Sequence, residues 1–347
     1  MVSRRDSIAL RFAWKVSRMP VVASTNTGRA PSEWPSLVLD EWLPTYATLH
    51  RWVQIVGKTR LALAPFQNHW WHSTLYVTVR GLSTSPMPIG ADGSLDIEFD
   101  FLHDRLLMQT SDGRTQVLRL ENKSVADFYS QYRSALRALD VDVRIYPVPN
   151  ELPDATPFAD DHEHRTYDGE AARRCWGALI RADWALKEFR GGFTGKCSPS
   201  HFWWGAFDLA CTRFSGRTAP PHPGGIPNCP SYVMRESYSH ECISAGWWPG
   251  TPGSAVTSPA FYAYAYPQPS GFDVAPIRPS AARYDSTFGE WVLPYDDVRT
   301  ASDPSAMVAE FLESTYETAA ELGKWDVAAL RSARDKLRHT IVTARER

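Results

Sequence analysis

The stretches Asn68-His69-Trp70-Trp71 and His201-Phe202-Trp203-Trp204 share one signature, a histidine followed within three residues by two adjacent tryptophans. Each opens a run of strand-like composition, over residues 72–79 and 205–211. A second match follows in the same order, Val-Ala-Asp-Phe at residues 125–128 and Val-Ala-Glu-Phe at 308–311. Because matching segments recur in one order, the sequence predicts an internal duplication, with the seam between the halves as the natural place for a site.

Each half is predicted to contain a helix, several strands and a second helix. In the first half, apolar residues at positions 49, 52, 53 and 56 follow the spacing of one helix face. The elements predicted there are helices over residues 45–64 and 124–139, with strands over 71–80, 95–101, 106–110, 115–120 and 143–148. The second half is predicted to contain helices over 169–189 and 303–322 and strands over 203–214, 238–245 and 261–266. The expected fold class is α+β, an internally duplicated helix–strands–helix unit with mostly antiparallel sheet and a pseudo-twofold axis.

The chain is expected to divide into five segments. The second half has about fifty residues more than the first, in Pro- and Gly-rich loops of the kind that often carry function. Met19 offers an alternative start inside the first segment. The segments are a basic, flexible extension over 1–32, an α+β half over 33–150, a polar linker over 151–168, a second half over 169–325 and a basic helix or tail over 326–347.

Charge and cysteine content narrow the class of protein. The 347 residues carry a net charge of −2, but residues 33–325 carry −10 and the two ends are basic. An acidic body argues against a nucleic-acid partner, which needs a basic face. No apolar run reaches the roughly 18 residues of a membrane helix, which argues against a membrane partner. The five cysteines include no CxxC pair, which favours a reducing, cytoplasmic location.

Several long motifs make the chain resemble a bacterial family, domain of unknown function 5996, over about residues 33–325. The resemblance implies a bacterial origin. It implies no particular reaction, so no catalytic residue is carried over from it. The motifs are His-Trp-Trp-His at 69–72, Gly-Lys-Cys-Ser-Pro at 195–199, Ala-Pro-Pro-His-Pro-Gly-Gly at 219–225, Tyr-Ser-His-Glu at 238–241, Phe-Tyr-Ala-Tyr-Ala-Tyr at 261–266 and Leu-Pro-Tyr-Asp at 293–296.

The signature histidines are candidate metal ligands. His69 and His72 would share a face on a helix, but they point to opposite faces on the strand predicted here. His69 and His201 occupy matching positions, so a pseudo-twofold axis could bring them together as ligands of a divalent metal. The alternative is that each histidine only makes a duplicated hydrogen bond at the start of a strand.

His240 and Glu241 are the candidate catalytic residues. Both lie in the run Tyr-Ser-His-Glu-Cys at 238–242, where an imidazole that titrates near neutral pH suits a general base or a metal ligand. Glu241 would orient the partner group. Cys242 is read as a small buried apolar side chain rather than as a nucleophile.

Aromatic residues supply the candidate binding surface. Tyr262 and Tyr264 point to one side of a predicted strand, where they form either a pocket wall or an aromatic face packed on a helix. Trp204 opens a strand face that reads Trp-Ala-Asp-Ala-Thr at positions 204, 206, 208, 210 and 212. That face is either a cavity wall or a solvated surface.

Two basic residues, Lys196 and Arg213, are candidate groups for holding an anionic part of the substrate, with ordinary surface cations as the alternative. The acidic and histidine-rich run at 160–164 is interpreted as a solvated loop rather than as a metal site.

These observations favour a cytosolic small-molecule enzyme with an aromatic-lined pocket at the seam. In this hypothesis histidine provides acid–base chemistry or binds a metal. A non-catalytic ligand-binding protein and a structural or partner-binding protein are the alternatives. The cofactor, the substrate and the oligomeric state do not follow from the sequence.

Overall fold

A computed structural model describes residues 34–250 and 256–332 of the chain. The predicted extension over 1–32 and the alternative start at Met19 lie outside these residues, as do positions 333–347 of the predicted tail. No helix in the described part of the chain is both long and apolar enough to cross a membrane.

The first half builds one antiparallel sheet with a helix before it and a helix after it. Strands pair in the order β1-β2-β4-β5-β6, and β3 pairs with β4. Burial alternates along both strands, so that one face is buried: Leu95, Ile97 and Phe99 on β4, and Leu106 and Met108 on β5. The elements are α1 (Leu39–Leu63), β1 (Tyr76–Val77), β2 (Gly81–Ser83), β3 (Met87–Ile89), β4 (Gly93–Asp100), β5 (Arg105–Thr110), β6 (Thr115–Arg119) and α2 (Val125–Ala138).

The second half builds a second antiparallel sheet, in the order β11-β12-β10-β9-β8-β7. Its elements are α3 (Gly169–Gly191), β7 (His201–Trp203), β8 (Asp208–Thr218), α4 (Ser231–Ser237), β9 (His240–Trp248), β10 (Ala260–Tyr266), β11 (Arg283–Asp285), β12 (Glu290–Pro294), α5 (Tyr295–Thr300), α6 (Pro304–Leu322) and α7 (Val327–Leu330). Helices α3 and α6 cover one face of this sheet. The predicted α+β class with antiparallel sheets is therefore confirmed.

The two copies of the signature have different backbone conformations. Residues 68–73 form a 3-10 turn in which His69 and Trp70 have positive φ, whereas the matching residues form strand β7. The strand predicted over 71–80 is therefore wrong over most of its length. The hydroxyl groups of Ser73 and Thr74 donate to carbonyls three residues earlier, which holds the turn in place of a strand ladder. The internal duplication and the pseudo-twofold axis stay predictions.

An isolated antiparallel bridge between Leu75 and Phe202 joins the edges of the two sheets. The amide groups of Leu75 and Phe202 each donate to the carbonyl of the other, at 2.9 Å in both directions. The short strands β1 and β7 are therefore held beside one another, and this contact places the first signature next to the second.

The predicted linker is exposed over most of its length but is anchored to the rest of the protein by a few buried residues. Asp161 is buried, and its carboxylate pairs with Arg51 at 3.1 Å and with His164 at 2.9 Å. Its backbone carbonyl accepts a hydrogen bond from Ala126 at the start of α2. The run at 160–164 therefore fixes a helix terminus.

The closing strand predicted over 143–148 is also wrong, since these residues are irregular and several of them border a cavity.

Helix α1 is surrounded by protein, and nearly every side chain from Thr45 to Arg60 is buried. Gly57 permits the closest approach, because a Cβ atom there would overlap the indole ring of Trp204. The indole Nε1 of Trp204 donates to the Ser73 carbonyl at 2.7 Å, which leaves the ring no room to move away. The turn after β7 is thus seated directly on α1.

We expect Gly57→Ala to destabilise the protein by about 1–3 kcal/mol, because overpacking against Trp204 outweighs the gain in helix propensity. Denaturant unfolding followed by circular dichroism measures this difference. Gly191→Ala in α3 is the matched control, since no atom lies within 4 Å of the added methyl group. A neutral or stabilising effect of Gly57→Ala would contradict the close packing of Trp204 on α1.

Candidate functional site

The second sheet has two chemically different faces. One face packs apolar side chains, such as those of Leu209, Ile243 and Phe261, against α3 and α6. The opposite face, here called the cavity face, is polar and aromatic and borders a cavity. It carries Asp208, Ala210, Thr212, Ser244, Tyr262, Tyr264, Glu290 and Val292. The faces follow from strand alternation, which sends successive side chains to opposite sides.

The cavity has a volume of about 1240 Å³. Binding sites for small molecules usually measure about 300–1,000 Å³, so this one has room for a sizeable organic ligand. Its other walls come from α1, from residues 144–153 and 203–206 and from the 226–234 loop. The aromatic side chains on its walls include Tyr146, Trp203, Trp204, Tyr232, Tyr238, Trp248 and Phe288.

Three carboxyl groups face this cavity, those of Glu151, Asp208 and Glu290. Burial raises the pKa of Asp208 to about 7. Burial, together with the nearby charge of Asp208, raises the pKa of Glu151 to about 7. Burial and the charges of Asp208 and Asp285 raise the pKa of Glu290 to about 8. Each group therefore exchanges its proton close to neutral pH.

The three groups differ in their partners. The Tyr262 hydroxyl donates to the Asp208 carboxylate. Within the described part of the chain, no hydrogen-bond donor and no cation within ion-pair distance meets the carboxyl oxygens of Glu151 or Glu290. A polar group that faces a cavity without a protein partner is available to a ligand.

Glu151 is held in place by its backbone. It has a φ of 61°, in the left-handed region that side chains rarely adopt, and its amide donates to the Pro227 carbonyl at 2.9 Å. Its carboxyl group rests over Gly205, where a Cβ atom would overlap the carboxyl oxygen. Backbone strain of this kind persists where the surrounding structure fixes it, often at functional sites.

Helix α1 positions the same wall with buried polar side chains. The His50 Nε2 atom donates to the Gly205 carbonyl at 2.9 Å, and burial lowers the pKa of His50 to about 4. The Gln54 amide group donates to the Asn150 carbonyl at 2.8 Å and accepts from the Asn150 amide at 2.7 Å. Helix α1 therefore holds Asn150, which precedes Glu151, and Gly205, which follows Trp204.

Lys58 is the cation of this wall. Burial lowers the pKa of Lys58 to about 8, and its ammonium group donates to the Asn150 side chain. The ammonium lies 5.3 Å from the ring centre of Trp204 and 5.5 Å from that of Tyr146. The nearby Glu151 favours its charged form. Lys58 and Glu151 are thus a neighbouring base and acid with pKa values close to each other.

The predicted binding residues Trp204, Tyr262 and Tyr264 all line the cavity. The rings of Tyr262 and Tyr264 are nearly parallel, with centres 6.1 Å apart. The Tyr264 hydroxyl forms a hydrogen bond of 2.6 Å with the Tyr238 hydroxyl. Of the two interpretations left open by the sequence, the structure has these rings on a cavity wall and not against a helix.

His69, Lys196 and His240 form a cluster in which only His69 lines the cavity. The His69 Nδ1 atom donates to the Ser237 carbonyl at 3.0 Å, and its Nε2 accepts from the Lys196 ammonium at 2.6 Å. Burial and the Lys196 charge lower the pKa of His69. The rings of His69 and His240 have centres 5.8 Å apart. Lys196 thus gives one of its three N–H donors to a histidine.

His201 does not join His69 in a ligand set. Both rings contact Trp71, with centres 5.4 Å and 5.7 Å from it, and burial lowers the pKa of His201 to about 3. The described residues contain no group of three His, Cys, Asp or Glu side chains that could hold a metal ion. The hypothesis of a divalent metal shared by His69 and His201 therefore has no supporting geometry.

Two predicted site residues lie away from the cavity. Arg213 is buried on the helix-covered face, where it pairs with Glu313 at 3.1 Å and stacks on Phe189. Glu241 also points away from the cavity and accepts hydrogen bonds from Ser215 at 3.0 Å and Arg217 at 2.8 Å. Strand alternation explains both placements, because their neighbours Thr212 and Cys242 occupy the cavity face.

The sequence analysis missed Glu151, Lys58 and Glu290 as site residues. Lys58 could have been found, because a lysine in a helix predicted to be buried is rare unless it has a partner or a function. Asp208 also gave a signal, as the acid in the polar strand face that begins at Trp204. Glu151 gave none, because it lies in a Pro-rich acidic segment that resembles any solvated linker.

We expect Asp208→Asn to stabilise the protein more at high pH than at low pH. The folded-state pKa of about 7 exceeds the ordinary value of 3.8, so the unfolded state binds fewer protons and stability falls as pH rises through this range. Asparagine cannot ionise, so the stability difference from wild type should grow by about 2 kcal/mol between about pH 5 and about pH 8.

Urea unfolding at the two pH values measures this growth. Asp142→Asn is the control, since Asp142 is exposed, and its effect should be the same at both values. An equal effect of Asp208→Asn at both values would show that the Asp208 carboxyl group is not perturbed.

Comparison with known proteins gives one match. The model of a family described as Family of unknown function (DUF5996) matches residues 34–332, nearly all of the described chain. No curated protein and no solved structure matches the chain. Since the match spans both sheets and every wall of the cavity, the chain belongs to the DUF5996 family.

Proposed function

We propose that the protein is an enzyme that binds a small organic molecule in the cavity and transfers protons with carboxyl groups. The observation that carries this proposal is that Glu151, Asp208 and Glu290 face one aromatic-lined cavity with pKa values of about 7 to about 8. Proton transfer by a side chain is most effective when its pKa lies near the working pH. Carboxyl groups perturbed in this way cluster at active sites.

The surroundings of the three groups suggest different roles. Asp208 accepts a hydrogen bond from Tyr262, which fixes its orientation and favours the carboxylate form expected of a base. Glu290 has the higher pKa and no donor among the described residues, so at neutral pH it is the group with a proton to give. Two carboxyl groups whose environments differ supply an acid and a base at the same pH.

This proposal gives carboxyl groups the role that the sequence analysis gave to His240 and Glu241. Glu241 is engaged by Arg217 outside the cavity, which argues against its taking part. Of the cluster of His69, Lys196 and His240, only His69 lines the same cavity, and there it suits contacts with a distal part of the substrate. All five cysteines are free thiols, which supports the proposed cytosolic location.

A mixture of small metabolites from a cell extract tests the proposal. The purified protein is incubated with the mixture, and mass spectrometry records which compounds are consumed and which are formed. We expect wild type to convert at least one compound, and Asp208→Asn and Glu290→Gln to slow that conversion by about 100-fold or more. Glu310→Gln, an exposed site on α6, is the matched control and should act like wild type.

Stability separates loss of chemistry from loss of folding. Asp208→Asn is expected to be more stable than wild type near neutral pH, so a slow variant that is also more stable has lost a catalytic group. Conversion that survives both substitutions would contradict the carboxyl mechanism. If the protein binds a compound but does not convert it, the second candidate function is favoured, that of a non-catalytic ligand-binding protein.

A further inference from the structure

The cavity face carries two carboxyl groups whose negative charge, when they ionise, has no basic partner among the described residues. Asp208 and Glu290 project from β8 and β12, and no lysine or arginine in the described part of the chain pairs with either carboxylate. Lys58 lies near Glu151 on the opposite wall, held by Asn150 and Trp204. A ligand that filled the space beside Asp208 and Glu290 would therefore meet carboxyl groups without a counter-ion.

Aromatic rings surround the same two carboxyl groups. Tyr262 and Tyr264 stack on β10, which together with β9 separates Asp208 on β8 from Glu290 on β12. Trp248 and Phe288 add an edge-to-face pair, with ring centres 5.7 Å apart, on the same side of the cavity. The face of an aromatic ring attracts a cation, and Trp and Tyr attract it most strongly.

We propose that the molecule bound in this cavity is an organic cation, with an ammonium group placed between Asp208 and Glu290 and over the rings of Tyr262 and Tyr264. The inference rests on the proposed function of the cavity and names the class of its substrate. Carboxylates attract the positive charge, and the rings take the place of part of its hydration shell. Neither feature alone selects a cation, but the two together do.

A bound cation changes the ionisation of the wall. Positive charge favours the carboxylate forms of Asp208 and Glu290, so their pKa values fall when the ligand binds. Near neutral pH, where both groups carry protons part of the time, binding must release protons to the solvent. The other titratable groups that interact with these two are Glu151, Tyr238, Tyr262, Tyr264 and Asp285.

A neutral polyol is the competing class of ligand. Its C–H faces would stack on the same rings, and its hydroxyl groups can donate to a carboxylate or accept from a protonated acid, so its binding lowers the pKa values of the carboxyl groups far less than a cation does. It therefore predicts little coupled release of protons, and it predicts equal affinity for a cation and a neutral molecule of the same shape.

Calorimetry with choline, benzyltrimethylammonium and 3,3-dimethylbutan-1-ol tests the inference. The alcohol has the shape of choline without the charge, and a quaternary ammonium has no proton of its own to lose. We expect choline to bind about 10-fold more tightly than the alcohol. Titration in two buffers of different ionisation enthalpy should show release of on the order of one proton per cation at about pH 7, and far less for the alcohol.

Glu290→Gln is the diagnostic variant, because glutamine keeps the shape and removes the charge. It should weaken choline binding about 10-fold, reduce proton release and leave the affinity for the alcohol within about two-fold. Glu310→Gln should behave as wild type. Equal affinity for choline and the alcohol, cation binding without proton release, or no binding of either cation at about 10 mM would overturn the inference.

The outcomes also separate this inference from the proposed function. Conversion of neutral metabolites alone, lost on Asp208→Asn, would keep the enzyme proposal and overturn the cationic class. Cation binding with proton release, but with no conversion of any compound, would support the class and contradict the enzyme proposal.

Discussion

The site depends on the contact between helix α1 and the turn that follows β7. Gly57 leaves the space that the Trp204 ring fills, and His50 binds the carbonyl of Gly205 one residue later. Strand β8 begins at Asp208 immediately after this turn, so its position follows from the same contact. Glu151 lies over Gly205, which ties the irregular 144–153 segment to the same place.

The carboxyl groups around the cavity lower the stability of the folded protein, and the fold does not require them. A buried carboxyl group with a raised pKa destabilises the folded state at neutral pH, because the unfolded chain ionises it freely. Three such groups around one cavity are unfavourable unless a ligand or a reaction uses them. The backbone strain at Glu151 adds to this destabilisation. Contacts in the aromatic core around α1 act in the opposite direction, such as that of Trp52 with Phe128, whose stacked ring centres lie 4.7 Å apart.

The fold class and most helices could be predicted from the sequence, because apolar spacing and capping residues are local signals. Ser124 caps α2 and Asp303 caps α6, close to where their spacing indicated. The tyrosines of β10 and the strand face that begins at Trp204 were found by alternation. The turn at His69 was missed because its positive φ values depend on packing. Glu151 was missed because only the tertiary fold brings the linker beside Gly205.

The central claim is that carboxyl groups on the cavity wall exchange protons near neutral pH. A ¹³C NMR titration of the side-chain carboxyl carbons of aspartate and glutamate tests it directly. The account predicts three resonances that titrate between about pH 6 and about pH 9, one of them absent in Asp208→Asn and another in Glu290→Gln. Titration of every carboxyl group below about pH 5 would contradict it.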